Sequence, residues 1–232
     1  MRDRESLFIF LILFTLGALG VSWTPSLFAS QNTGTIAGSV TTKAAALPPA
    51  RASIDQNVCG NEVADETIVR AAEGQVANAV VTLAGVKSSS NAPAAGVLNE
   101  KCRFSPHVQI VRPHATITTS STDPMLHTTN ATNAAGRTLF NVALPLPNIK
   151  ITKPAGPLGV VRLHCNTHPW MRAWIIVTDE IAAISGPDGR FTLTNVPAGT
   201  YDLRIWHEQL KSAPQKVTVA PGQTSNARFT LQ

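Results

Sequence analysis

Leu163-His164-Cys165-Asn166-Thr167-His168-Pro169-Trp170-Met171-Arg172 places a thiol, an imidazole and a thioether within seven residues, spaced Cys-x2-His-x2-Met. These are soft and borderline donors, the kind that hold copper as it cycles between Cu(I) and Cu(II). Residues 160–165 and 173–177 read as apolar strands on either side, so Cys165 and His168 share one tight loop. A two-residue gap lets both side chains turn to a single ion. Met171 falls where the second strand begins and can reach the axial side at a longer distance, and Pro169 stiffens the loop by fixing φ. A trigonal centre of one thiolate and two imidazoles with a weak axial thioether needs a second His from elsewhere. His127, in the loop that opens at Asp123-Pro124, is the best candidate, and His107 is a weaker one. His114 follows a proline in a turn and reads as exposed. His164 neighbours Cys165 on a strand and points to the opposite face. Zinc fits poorly, because structural zinc sites favour four Cys or His and thioether is a rare ligand. A thiol nucleophile is disfavoured too, since no helix N-terminus or oxyanion hole is apparent near Cys165.

Outward from this loop, the 232-residue chain is poor in charge, with 14% Asp, Glu, Lys and Arg. Its Thr, Ser, Val, Gly and Pro content favours strands and turns over helices. Strands are read at 34–40, 77–83, 107–111, 116–119, 160–165, 173–177, 190–193, 201–206, 216–219 and 227–231. Residues 87–96 and 130–136 read as polar loops, and Gly186-Pro-Asp-Gly189 and Pro197-Ala-Gly199 as turns. Short strands at this spacing predict an all-β sandwich or small barrel. Asp188-Gly189 is a turn before it is a calcium site. Trp206-His207-Glu208 reads as a packed Trp with a polar pair at an edge.

Residues 1–30 read as a secretory signal: Arg2 and Arg4, an apolar run over 7–21, then the small pair Ala29-Ser30. An uncleaved anchor is the alternative, although the run is short for a bilayer. Either way the chain is exported. Of its three cysteines, Cys165 is committed to the metal loop, which leaves Cys59 and Cys102 to form a disulfide in an oxidising compartment, with two free buried thiols as the alternative. The net charge is +5 with a pI near 9.4, from scattered rather than clustered basic residues. That pattern argues against nucleic acid and allows an acidic redox partner.

Cys165-Asn-Thr-His168-Pro-Trp-Met171-Arg172 resembles the copper loop of the cupredoxins, the blue copper proteins of amicyanin and plastocyanin type. Phe104-Ser-Pro106 and Asp123-Pro-Met-Leu-His127 resemble the same family's approach to its first copper His. The resemblance covers roughly 97–180. It implies a Greek-key β-sandwich holding one type 1 copper ion through His127, Cys165, His168 and Met171, and single-electron transfer rather than enzyme turnover. In that family the edge of the C-terminal His is the electron exit, so Pro169 and Trp170 are expected in the patch where a partner docks. The chain departs from the family at Thr128, where an Asn commonly braces the two ligand loops. Pro187-Asp-Gly-Arg-Phe-Thr-Leu193, 196–203 and 217–231 resemble a carboxypeptidase regulatory-like (transthyretin-like) β-sandwich. Gly34 to Val40 and 77–83 fit the opening of that module. The expected organisation is therefore a signal at 1–30, first regulatory-like strands at 34–90, a cupredoxin domain at 97–180 and the rest of the regulatory-like sandwich at 181–232, with the first sandwich inserted in the second. The resemblance implies a bacterial, periplasmic protein. A periplasmic copper carrier or store, and an interaction module with a structural metal, are the alternative functions.

Overall fold

The computed structural model describes residues 32–90 and 94–232. The expected signal at 1–30 lies outside them, as do residues 91–93 of the expected loop. A five-stranded sheet runs Thr138–Leu144, His127–Asn133, Gly159–His164, Arg172–Val177 and Val108–Val111. It faces a four-stranded sheet of Lys150–Pro154, Thr116–Ser121, Ala95–Glu100 and Arg103–Ser105. Alternation decides the inward faces. In Thr116–Ser121 every second residue, Ile117, Thr119 and Ser121, is buried, as are Val161 and Leu163 in Gly159–His164. Val97, Phe104 and Ile117 from one sheet meet Ala131, Leu163 and Ile175 from the other, all buried in one core cluster. Burial of this apolar surface is the main source of the layer's stability.

A second sandwich draws on both ends of the chain. Thr33–Thr42 lies between Arg190–Pro197, antiparallel to it, and Thr224–Leu231, parallel to it. Gly38 permits that approach, since a Cβ there would stand 2.3 Å from the Ala227 carbonyl oxygen and 2.4 Å from the Phe191 ring. The facing sheet is Glu180–Ile184, Val80–Lys87, Gly199–Trp206 and Gln215–Val219, and Ile36, Leu83, Phe191, Leu203 and Phe229 fill the space between. The first sandwich is thus threaded between strands of the second, and the fold is all-β apart from one helical turn, Gln56–Cys59, among the described residues. Val80, Val108 and Ile176 join the two sandwiches, with Trp174 and Trp206 edge to face at 5.5 Å beside them.

Two sequence readings shift. Residues 130–133, read as loop, continue the strand His127–Asn133, and the turn comes only afterwards. The segment is polar but Thr-rich, and it buries His127, Thr129 and Ala131 in strict alternation, so β-branching outweighs polarity. The strand read at 77–83 starts later, as Val80–Lys87, because Asn78 takes a left-handed φ of 64°.

Candidate metal centre

Three of the candidate donors sit at strand ends, and His168 lies in the loop between two of those strands. His127 opens His127–Asn133, Cys165 follows directly on Gly159–His164, and Met171 immediately precedes Arg172–Val177. The loop is closed by its own backbone: Cys165 N–H donates to Met171 O at 3.3 Å and Met171 N–H to His168 O at 3.0 Å. Cys165 is 3% exposed, Met171 1%, and His127 and His168 are fully buried.

The structure brings His127, Cys165 and His168 together, with one ligand atom from each within 4.8 Å of the others. Cys165 Sγ lies 3.5 Å from His168 Nδ1. Both imidazoles are held from behind. His127 Nε2 pairs with Asp123 Oδ2 at 2.9 Å, and His168 Nε2 with Asp55 Oδ2 at 3.1 Å. Asp123 is fixed in turn by the backbone N–H groups of Lys101 at 2.8 Å and Cys102 at 2.9 Å. A carboxylate on one ring nitrogen keeps the proton there and leaves the other nitrogen as a lone-pair donor. His127 Nδ1 is accordingly buried with no hydrogen-bond partner. A buried polar atom without a partner costs free energy unless something coordinates it.

Burial by itself pushes the Cys165 thiol up. The His127 imidazole beside it and hydrogen bonds from the Thr128 and His168 backbone and the Thr128 side chain outweigh burial and bring the group down to about 5. Burial likewise disfavours charge on His127, but the neighbouring Cys165 sulfur and the Asp123 carboxylate raise it above 6.5. The thiol is therefore a thiolate near neutral pH, the form that ligates metal. One thiolate and two oriented Nδ1 atoms, one of them without a partner, fit a copper ion.

Thr128 replaces the expected Asn as a brace. Its hydroxyl accepts from Asn166 N–H at 2.7 Å and donates to Cys165 Sγ at 3.7 Å, while its backbone N–H reaches the same sulfur at 3.4 Å. The Cys59–Cys102 disulfide is formed. A second group of possible donors, Cys102, Asp123 and His127, is spent: Cys102 is in the disulfide and Asp123 is fully hydrogen-bonded. Pro169 is exposed. Trp170 is half-buried, its ring 5.2 Å from that of His168 and its Nε1–H donating to Cys102 O at 3.1 Å. The sulfur-bearing side chain of Met171 is buried in the same cluster as Cys165.

The other histidines are placed elsewhere. His114 is exposed. His107 is buried and hydrogen-bonded through Nε2 to Glu208 Oε1. Glu208 also accepts from Arg172 Nε at 3.2 Å, and Arg172 donates to Asp65 at 2.7 Å and to Thr67. His207 and the side chain of Glu208 are thus covered rather than at an exposed edge: burial would raise the Glu208 carboxyl, but His107 and Arg172 hold it low. Asp123 and Asp55, behind the two imidazoles, were not singled out in the sequence. Asp123 stands four residues before His127, a detectable spacing, whereas Asp55 reaches His168 across 113 positions.

The carboxypeptidase regulatory-like domain family matches residues 159–232. That range begins at Gly159–His164, a strand of the five-stranded sheet, and runs on through the C-terminal strands of the second sandwich. No curated protein matches the chain. Among solved structures, a purple cupredoxin from Nitrosopumilus maritimus is 21% identical and covers 36% of this chain and 99% of its own, with a TM-score of 0.32. A reduced Cu(I) form of an amicyanin variant is 17% identical over 42% of this chain and 98% of its own, with a TM-score of 0.32. A copper-containing nitrite reductase from Thermus scotoductus is 18% identical over 40% of this chain and 24% of its own, with a TM-score of 0.31.

Proposed function

We propose that this chain is an exported, periplasmic type 1 copper protein that carries single electrons and turns over no substrate. The observation that carries the reading is the buried triad: Cys165 Sγ and one ligand nitrogen each from His127 and His168 converge within 4.8 Å, and His127 Nδ1 has no partner of its own. A bound copper ion supplies a one-electron couple between Cu(I) and Cu(II). His127, Cys165 and His168 would hold it, with Met171 as a further, weaker donor. Asp123 and Asp55 orient the imidazoles, and Thr128 ties the His127 and Cys165 loops together. Ligands fixed this way change position little between oxidation states, which is what fast electron transfer needs. Pro169 and the edge of Trp170 offer the face for a redox partner, and the positive net charge favours an acidic one.

Protein-film voltammetry on the copper-loaded chain tests the assignment. A reversible one-electron couple with rapid interfacial exchange supports an electron carrier. A sluggish, irreversible response with ready loss of copper to a chelator would instead identify a copper carrier or store.

A further inference from the structure

A segment outside both sandwiches reaches the metal centre. Ala52, Cys59 and Val63 are buried in the same cluster as Cys165 and Met171. Between them the chain forms a small strap. Its base is the pairing of Ala50–Arg51 with Glu62–Val63, reinforced by Ala52 N–H donating to Asn61 O at 2.9 Å. Its tip is the helical turn Gln56–Cys59, where Val58 and Cys59 N–H both donate to Asp55 O at 2.9 Å. The Cys59–Cys102 disulfide pins the tip, and Cys102 also supplies the carbonyl that holds Trp170. Asp55 adopts a left-handed φ of 52°, a conformation uncommon outside glycine. From there its carboxylate, 41% exposed at the surface, turns one oxygen inward to His168 Nε2, whose side chain has no exposed area.

We propose that this disulfide-pinned strap is a fixed shield over the imidazole edge of His168, with Asp55 as the positioning residue for that ring. In the cupredoxins this chain resembles, that edge is the expected electron exit; here the Asp55 carboxylate of the strap closes it and the ring has no exposed area. The strap does two things. It holds the Nε2 proton so that Nδ1 faces Cys165, and it keeps external reagents and competing ligands from the thiol and imidazoles beneath. A partner at this end of the molecule meets the strap and Trp170 rather than the imidazole. The inference deepens the electron-transfer reading by naming what guards the site, but shielding of Cys165 stands on the protein's own packing.

The test uses the full chain with Asp55→Ala and Asp55→Asn. In the metal-free protein, Cys165 is alkylated with iodoacetamide well above its titration midpoint, so that the thiolate fraction is equal in all three, and adducts are followed by mass spectrometry. In the copper-loaded protein, capture by a Cu(I) chelator is timed. Asp55→Ala should speed alkylation about tenfold, the population change from losing one hydrogen bond to a charged group. Asp55→Asn should stay near the parent rate, because its amide oxygen still accepts from Nε2–H. Chelator capture should rank the same way. Cys59→Ser with Cys102→Ser should accelerate alkylation as well. Equal alkylation rates in the parent and Asp55→Ala overturn the shield. Faster alkylation of Asp55→Ala in a chain that binds no copper upholds the shield while the copper reading fails.

Discussion

Glu208→Ala is the substitution that probes how the second sandwich supports the metal loop. Glu208 lies just beyond the strand Gly199–Trp206, yet its carboxylate reaches into the first sandwich, pairing with His107 and with Arg172, the residue after Met171. The side chains of Glu208 and His107 are only 6% and 4% exposed, and Arg172 is 24% exposed with Asp65 as a second partner. Removing one member of a buried pair typically costs about 3–5 kcal/mol, because the other charge is left uncompensated. The remaining Asp65 contact places this case at the low end, about 3 kcal/mol. At about 2–4 °C per kcal/mol for a chain of this size, Tm should fall by about 6–12 °C in thermal unfolding followed by circular dichroism. Because Glu208 is held below its ordinary 4.5, its contribution is present above that value and is lost as pH falls through the lower folded value, so the deficit of the variant should shrink in acid. A double-mutant cycle with His107→Leu should show strong coupling. A loss under about 1 kcal/mol, the scale of an exposed pair, would refute the claim that these charges are buried and mutually dependent.

Three further outcomes follow from the site. Removing the disulfide with Cys59→Ala and Cys102→Ala should cost about 4 kcal/mol in denaturant unfolding, from loop closure across a separation of 43 residues; a loss under about 1 kcal/mol would mean the strap is held without it. In the metal-free chain, Cys165 falls from 9.0 to about 5 on folding, so its contribution is full above the unfolded value and is lost as pH drops toward 5. His127, raised above 6.5, contributes fully below that value and loses its share only as pH rises through its folded value. Between about 5 and 6.5 the cysteine contributes to the slope and His127 does not, while His164 and His207, both lowered from 6.5, contribute in either chain, so Tm should climb with pH there more steeply than in Cys165→Ser; identical slopes would show that the thiol is not perturbed. Thr128→Val keeps the shape but loses the hydroxyl on Cys165 Sγ and Asn166 N–H, so the ultraviolet thiolate titration of the metal-free variant should move upward from about 5; an unmoved midpoint would remove Thr128 from the set of braces.

What the sequence made legible was local chemistry. The Cys-x2-His-x2-Met spacing and its apolar flanks pointed to the candidate ligand loop because all three side chains lie in one short loop between two strands. The disulfide was legible from cysteine number and compartment, since two cysteines remained once Cys165 was assigned. The strand His127–Asn133 was half hidden: its inward residues include His127 and Thr129, so the alternation is real but not hydrophobic. The hydrogen-bonded network of His107, Arg172 and Glu208 was hidden because it is assembled across the joint between two sandwiches. Nothing in Trp206-His207-Glu208 distinguishes an exposed acid from one buried beside an arginine far away in sequence. Asp55 was hidden for the same reason, since only the folded strap carries it to His168.

The central proposal is that Cys165, His127 and His168 would hold one copper ion with the thiolate as the dominant donor. Its most direct test is the visible absorption and EPR spectrum of residues 31–232 with one equivalent of Cu(II). The account predicts an intense thiolate-to-copper charge-transfer band with a small parallel hyperfine splitting, both lost in Cys165→Ser. A pale solution with ordinary tetragonal copper EPR would contradict it.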